Sequence, residues 1–260
     1  MQKFFAKKSL GQNFLIQPQI VKEIVTASGA EEGEVIVEIG PGTGLLTKDL
    51  LTTGAKVIAV EKDDRLVETL KETFGEYIDS GKLELIHGDI LDTNLNLSTK
   101  YKVVANIPYY ITGKIIRIFL EKQNKPQSMT VLVQKEVAER IVSKDQKESL
   151  LSISVKAYGI PKYVRTVKAG NFSPIPKVDS AILNIENISD KNFKHSSETN
   201  FFEILHMGFS SKRKKLFKNL KKNNKEGSLD HAFETCGIEK GLRGEDLSID
   251  DWICLVNKLH

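Results

Sequence analysis

Residues 35–44, Val35-Ile36-Val37-Glu38-Ile39-Gly40-Pro41-Gly42-Thr43-Gly44, pass from a β-branched apolar run into a glycine turn, and the helical pattern Leu45-Leu46-Thr47-Lys48-Asp49-Leu50-Leu51 follows at once. Strand, glycine turn and helix in that order open a nucleotide-binding βαβ unit. Glycine tolerates positive φ and lets a ligand lie against bare backbone. A dinucleotide fingerprint spaces its glycines G-x-G-x-x-G; Gly40, Gly42 and Gly44 fall one residue short of it, so a nicotinamide oxidoreductase is only a remote alternative. The next strand, Lys56-Val57-Ile58-Ala59-Val60, ends in Glu61, placed to accept hydrogen bonds from both hydroxyls of a ribose. A third, Leu83-Glu84-Leu85-Ile86, leads into His87-Gly88-Asp89, whose acid can accept from an adenine amino group. Both acids stand just past the carboxyl ends of parallel strands, where open α/β sheets bind ligands.

The apolar run Val103-Val104-Ala105 leads into Asn106-Ile107-Pro108-Tyr109. An exposed amide and the carbonyl after it can accept hydrogen bonds from the exocyclic NH2 of a flipped adenine, while the tyrosine ring covers the base. Proline stiffens the turn and holds Ile107 in extended geometry, which aims the accepting groups before a substrate arrives. Asn-x-Pro is also a common turn starter, so the tetrapeptide takes its meaning from its neighbours.

Those neighbours decide it. The EIGPGTG run at 38–44, the acid after the second strand, Gly-Asp after the third and NIPY after the fourth resemble an S-adenosylmethionine-dependent adenine N6-methyltransferase. More narrowly, the chain resembles the ribosomal RNA adenine dimethyltransferases, the KsgA (RsmA) family. Four further stretches carry that resemblance: Ser9 to Leu15 (SLGQNFL), Gln134 to Arg140 (QKEVAER), Phe172 to Ser180 (FSPIPKVDS) and Leu242 to Ser248 (LRGEDLS). It implies that Asn13 and Leu15, from an amino-terminal segment closing over the cofactor, together with Gly40, Gly42, Glu61, Asp89 and Asn106, bind S-adenosylmethionine. It also implies that Asn106 and the Ile107 carbonyl accept from the target amino group, with Pro108 fixing the turn, Tyr109 on one face of the base and Phe172 on the other. The implied substrate is a pair of adjacent adenosines near the 3′ end of 16S ribosomal RNA, each methylated twice, in naked RNA or in a pre-30S particle. The antibiotic-resistance branch that methylates one large-subunit adenine shares the cofactor motifs and NIPY; the runs at 172–180 and 242–248 favour the small-subunit enzyme. An RNA-binding assembly factor with secondary catalysis is the alternative from another class. The chain departs from the family pattern at Glu148-Ser149, where Tyr-Gly is frequent, and at Ile175, where proline is common.

The net charge of +4 conceals an uneven layout. Lys212, Arg213, Lys214, Lys215, Lys218, Lys221, Lys222 and Lys225 fall within fourteen residues that contain no acid. Phe202, Leu205, Phe209, Leu216 and Leu220 recur at helical spacing through and before this run, so the pattern predicts one amphipathic helix with lysines on its outer faces. A charge run is usually a solvated helix face, but a single sign over this length argues for a phosphate-tracking surface. Lys212, Arg213, Lys214, Lys215, Lys218 and Lys221 are the candidate RNA contacts.

At 260 residues the chain has room for one large and one small domain. The expected architecture is a Rossmann-like α/β fold of the class I methyltransferase type, with a mostly parallel seven-stranded sheet and a small carboxyl-terminal α-helical domain. Parallel strands are predicted at 35–39, 56–60, 83–86, 102–105 and 128–133. The resemblance adds strands near 163–168 and 178–185, the last antiparallel. The division falls between a methyltransferase domain, 1–188, and a helical RNA-binding domain, 189–260, with the polar tract Asn187 to Asn200 as linker. Phe4-Phe5-Ala6 is too short for a membrane span or signal core, so the chain reads as soluble and cytoplasmic; it is also expected to be a monomer. The five histidines are scattered, which argues against a metal site. Cys236 and Cys254 lack a CxxC spacing and are expected to be reduced and buried.

Overall fold

The computed structural model describes residues 7, 11–95, 97, 99–194, 196–222 and 226–259. Ser9 and Leu10 of the amino-terminal motif, Phe4-Phe5-Ala6, His195 of the polar tract and Lys225 of the basic run lie outside the described residues.

In chain order the elements are β1 (Phe14–Leu15), α1 (Pro18–Ser28), β2 (Val35–Ile39), α2 (Leu45–Thr52), β3 (Lys56–Glu61), α3 (Asp64–Asp79), β4 (Leu83–His87), β5 (Lys102–Asn106), α4 (Thr112–Glu121), β6 (Met129–Gln134), α5 (Lys135–Val142), α6 (Leu150–Lys156), β7 (Ile160–Val167), β8 (Phe172–Ser173), β9 (Ser180–Glu186), α7 (Glu198–Phe209), α8 (Leu216–Leu220), α9 (Glu226–Thr235) and α10 (Ile249–Lys258). Seven strands form one sheet in the order β4-β3-β2-β5-β6-β9-β7. The β4-β3, β3-β2, β2-β5 and β5-β6 pairs are parallel, and β9 runs antiparallel to β6. The mixed seven-stranded sheet expected from the sequence is therefore present. Strands β2, β5 and β6 are buried along almost their whole length, which is why they read as continuous apolar runs rather than alternating ones.

The register positions the site. Ile39 pairs with Val60 on one side and with Ala105 on the other, and Glu61 pairs with His87. The residues that follow, Gly40, Lys62, Gly88 and Ile107, therefore leave the sheet along one edge. Chain order reverses between β2 and β5, and the crevice at such a switch point is where open α/β sheets hold ligands. A second, two-stranded antiparallel pair, β1 with β8, ties the amino-terminal segment down, with Leu15 opposite Phe172. Nothing in the periodicity of so short a strand announces it.

The chain divides into two compact units. One runs to Ala138 and takes in Lys162–Ile188; the other comprises Glu139–Pro161 and the chain from Ser189 onward. The boundary drawn at 188/189 from sequence had kept 139–161 with the sheet, and this segment packs instead with the carboxyl-terminal helices. The reason lies in α6: Ile153 and Val155 are buried, and the Tyr158 hydroxyl beyond it donates to Glu198 at the start of α7 (2.6 Å).

Two further expectations are corrected in the second unit. The basic run does not lie on one helix. Helix α7 ends at Phe209, residues 210–215 form a connection, and the short α8 starts at Leu216. Gly208 sits so close to Trp252 that a Cβ there would stand 2.3 Å from the indole, and buried Asn219 donates to the carbonyls of Gly208 (2.7 Å) and Ser211 (3.2 Å). These side-chain bonds satisfy carbonyls at the end of α7 and let the chain turn where the periodicity read straight on. Leu205, Leu216 and Leu220 are all fully buried, so the apolar stripe was right about the core and wrong about the path. The cysteines are not reduced: Cys236 and Cys254 form a disulfide with Cα atoms 5.9 Å apart. They lie 18 residues apart in sequence, just past α9 and within α10, a pairing that spacing rules do not reveal.

Candidate active site

The first unit carries a cleft, partly open to solvent, above the carboxyl ends of β2, β3, β4 and β5. Its floor is the glycine turn. Gly42 and Gly44 hold φ of +60° and +80°, a region that L side chains rarely adopt. A Cβ on Gly44 would stand 2.5 Å from the Phe74 ring, and one on Gly42 3.1 Å from Phe14. A Cβ on Gly40 would meet nothing within 4 Å, so bare backbone faces the cleft there.

Glu61 is 5% exposed at the end of β3. Its Oε1 accepts from the Lys62 and Asp63 N–H groups (both 2.8 Å) and its Oε2 from the Gly42 N–H (3.0 Å). Burial raises this carboxyl above its ordinary range, and those backbone bonds work against the rise. Two oxygens offer about four acceptor positions, so the remaining capacity lies on Oε2, and the carboxylate is aimed rather than free to turn. Asp89 accepts from the Lys62 ammonium (2.7 Å) and the Leu91 N–H (3.0 Å). Burial would raise the Asp89 carboxyl; the bonds from Lys62 and Leu91 outweigh it and hold the group below its ordinary value.

Asn106 ends β5. Its Nδ2 donates to the Asn13 carbonyl (3.0 Å), which leaves Oδ1 as the acceptor of that amide. The Ile107 side chain is buried, its N–H donates to the Leu132 carbonyl (3.3 Å), and among the described residues nothing donates to its own carbonyl. Pro108 takes φ −55°, and its carbonyl accepts from the Ile111 N–H (3.1 Å), closing a tight turn into α4. Half-buried Tyr109 shares a 2.6 Å hydrogen bond with Ser180; burial raises its phenol and the Ser180 bond lowers it.

The amino-terminal segment crosses this cleft. Gly11 lies against Tyr110, where a Cβ would come within 2.9 Å of the ring, and Asn13 and Phe14 line the same space. Asn13 does not cap α1: Gln17 holds that position, and the Asn13 amide donates instead to the Gly11 carbonyl (3.2 Å). The structure therefore brings Asn13, Gly40, Gly42, Glu61, Asp89, Asn106, Ile107, Pro108 and Tyr109 together around one space. It does not bring Phe172 there. That ring is 1% exposed and packs in the core with Leu15, Ile20 and Val21, while Tyr110, 65% exposed, stands at the cleft. Leu15 lies below the cleft, buried beside the glycine turn.

Three residues of the site escaped the sequence reading. Buried Asp63 caps α3 and accepts from Arg65 (2.7 Å), Gln12 (3.0 Å) and Lys7 (3.1 Å), so it latches the amino-terminal segment; the Arg65 guanidinium, then Gln12 and Lys7, hold its carboxyl well below the usual carboxylate range. Gln12, which lines the cleft, is the residue it holds. Glu38 is 1% exposed and neither of its oxygens has a hydrogen bond among the described residues. Burial pushes its carboxyl up to about 8; Thr47 is near enough to oppose that without forming a normally shaped hydrogen bond, and Glu61 adds to the rise. The acid before the first glycine was visible in sequence, but its burial was not. Glu38 borders a small cavity lined also by Phe14, Gly40, Gly42 and Asn106, four residues shared with the main cleft. A buried carboxyl without a partner suits a site that receives a cation.

A family profile described as ribosomal RNA adenine dimethylase matches residues 3–260. The chain belongs to the ribosomal RNA adenine dimethylase family. Ribosomal RNA small subunit methyltransferase A of Dehalococcoides mccartyi is 41% identical over 259 residues, covering 96% of this chain and 88% of the relative. The protein of the same name from Clostridium botulinum is 37% identical over 256 residues, covering 96% and 92%. Among solved structures, a dimethyladenosine transferase from Plasmodium falciparum superposes with a TM-score of 0.77 at 27% identity, covering 93% of this chain and 95% of that one. The 23S rRNA methyltransferase ErmE superposes at 0.78 with 23% identity, covering 95% and 99%, a likeness of fold. As a member of this dimethylase family the chain is a methyltransferase. Among the described residues no helix is long and apolar enough to cross a membrane, and no group of three or more His, Cys, Asp and Glu could hold a metal ion.

Proposed function

We propose that the chain transfers methyl groups from S-adenosylmethionine to N6 of two adjacent adenosines near the 3′ end of small-subunit ribosomal RNA, dimethylating each. The observation that carries this reading is the Asn106 amide, turned by the Asn13 carbonyl so that Oδ1 and the neighbouring Ile107 carbonyl are both acceptors. The N6 lone pair of adenine is delocalised into the ring. In the first transfer two acceptors on its protons draw that nitrogen toward tetrahedral geometry and free the lone pair; in the second, the one remaining N–H donates to one of them. Tyr109, fixed by Ser180, covers one face of the base; Tyr110 is the exposed aromatic beside it. We assign Phe172 to seating Leu15 under the amino-terminal segment rather than to the base.

Glu61 would hold the ribose of the cofactor, Asp89 its adenine, and Gly40 with Asn106 its methionine part, beside Glu38, whose carboxyl has no hydrogen bond among the described residues. S-adenosylmethionine supplies a methyl group on an already activated sulfonium, so what this chain adds is alignment, worth roughly 7 to 11 kcal/mol for well-oriented groups. Because a paired or stacked base cannot reach such a site, the target adenine must be splayed from the RNA. The exposed basic residues between Lys212 and Lys221 would supply phosphate contacts in the second unit.

Single-turnover methylation at saturating cofactor tests this. Asn106→Ala should slow methyl transfer by more than it weakens RNA binding, because the lost acceptor matters most in the transition state. A folded Asn106→Ala variant that methylates at the wild-type rate would remove the proposed mechanism.

A further inference from the structure

Three stretches that the methyl-transfer cleft leaves without a role meet in the second unit: Arg140 at the end of the 134–140 motif, the start of the basic run, and the 242–248 motif. Arg140, Leu150, Leu151, Phe209, Lys212 and Glu245 line a pocket partly open to solvent. Both of its walls are tied down. On one side the Glu148 N–H donates to the Glu245 carbonyl (2.8 Å), and Lys147 pairs with Asp246 next to it. On the other, Asn219 holds the Gly208 and Ser211 carbonyls, and Gly208 is pressed against Trp252 where no larger residue fits. Leu150, Leu151 and Phe209 are only half-buried, so the pocket offers an apolar surface open to solvent.

One lining residue is different in kind: Lys212, which opens the basic run. Lys212, Arg213, Lys214 and Lys215 are exposed, and among the described residues neither they nor Lys218 form an ion pair. An unpaired cation, Lys212, beside the half-buried side chains of Leu150, Leu151 and Phe209 is complementary to a nucleotide, an anionic phosphate joined to a flat base with an apolar face. The carboxylates within the walls disfavour a phosphate inside. Glu148 is engaged by Lys156 and Ser143, and Glu245 lies 3.7 Å from Arg243. Both remain acceptors suited to the amino edge of a base.

We propose that this pocket takes one unpaired RNA nucleotide, its base against Leu150, Leu151 and Phe209 and its phosphate toward Lys212. The inference rests on the reading of the basic run as a phosphate-tracking surface and adds selectivity for strandedness to it. A duplex can offer the basic run its phosphates, but its stacked bases cannot enter the pocket.

The test compares two RNA probes of equal length, a single-stranded oligonucleotide and a blunt duplex, by fluorescence anisotropy across a salt series. Ser211→Trp fills the pocket while leaving every basic residue in place; Ser211→Ala leaves it open. We expect Ser211→Trp to lower single-strand affinity about tenfold, the scale of one stacked base, with duplex affinity, salt slope and S-adenosylmethionine affinity unchanged and Ser211→Ala like wild type. A Ser211→Trp protein that binds both probes as wild type does overturns the pocket. Reversing Lys214, Lys215 and Lys218 to Glu tests the underlying reading separately: a slope of log affinity against log salt that stays unchanged removes the phosphate surface, and the pocket proposal with it. With the unaltered chain, photocrosslinking of single-stranded RNA carrying 4-thiouridine should label Phe209, Leu150 or Leu151. Labels confined to the lysines, or absent from the second unit altogether in favour of a protein partner, overturn it whether or not the variants fold.

Discussion

At the scale of single residues, the site is a set of groups whose freedom has been removed. Glu61 shows this most fully, since three backbone donors fix its carboxylate before any ligand arrives. Glu61→Ala should weaken S-adenosylmethionine binding by about 1.5 to 3 kcal/mol, the scale of hydrogen bonds to a charged group, and calorimetric titration reads it directly. Unchanged affinity in a folded variant would take Glu61 out of the site. Glu38 makes a second prediction, about pH. Its carboxyl sits at about 8 in the folded chain against an ordinary 4.5, so between those values the folded chain binds a proton that the unfolded chain has released. Stability without cofactor should therefore be greatest below the lower value and fall as pH rises toward the upper one. In Glu38→Gln that fall should shrink. Urea unfolding across the interval measures the difference, and an equally steep fall in both proteins would mean that Glu38 is not the group responsible. Glu61 is raised as well but is present in both, so the comparison isolates Glu38.

At the scale of elements, what the sequence disclosed depended on range. Strands β2, β3, β4 and β5 were legible because each is an apolar run punctuated by a residue that lines the cleft: Gly40, Glu61, Asp89, Asn106. Sequence order and the parallel register carry those residues to one edge without help from distant contacts. The latch of Asp63 on Gln12 and Lys7 was not legible, because it joins residues about fifty positions apart through side chains that look like ordinary surface groups. Helix α7 failed differently. Its periodicity continued through residues 210–215, and only Asn219 and Trp252, which come later in the chain, turn the backbone there. The Cys236–Cys254 bond likewise depends on how α10 packs against α9. Closing a loop of 18 residues should contribute about 3 kcal/mol to the second unit by restricting its unfolded chain. Trp252 is the chain's one tryptophan and lies in that unit, so its fluorescence during urea unfolding with and without reductant reports the loss. Two titratable thiols in the denatured, unreduced protein would contradict the bond.

At the scale of the whole molecule, two units divide the work proposed here. The sheet unit positions a cofactor and one adenine, and its fold follows from a parallel sheet whose chain order reverses at β2 and β5. The helical unit carries the uncompensated cations that an RNA backbone would meet. Family membership establishes the chemistry, whereas the choice of nucleotides is the central claim of the function proposed. Nucleotide-resolution mapping of methylated adenosine in small- and large-subunit ribosomal RNA, from cells with and without the gene for this chain, tests that claim most directly. The account predicts two adjacent N6,N6-dimethyladenosines near the 3′ end of the small-subunit RNA that vanish together with the chain. Loss of a single methylated adenine in large-subunit RNA, with the small-subunit pair intact, would contradict it.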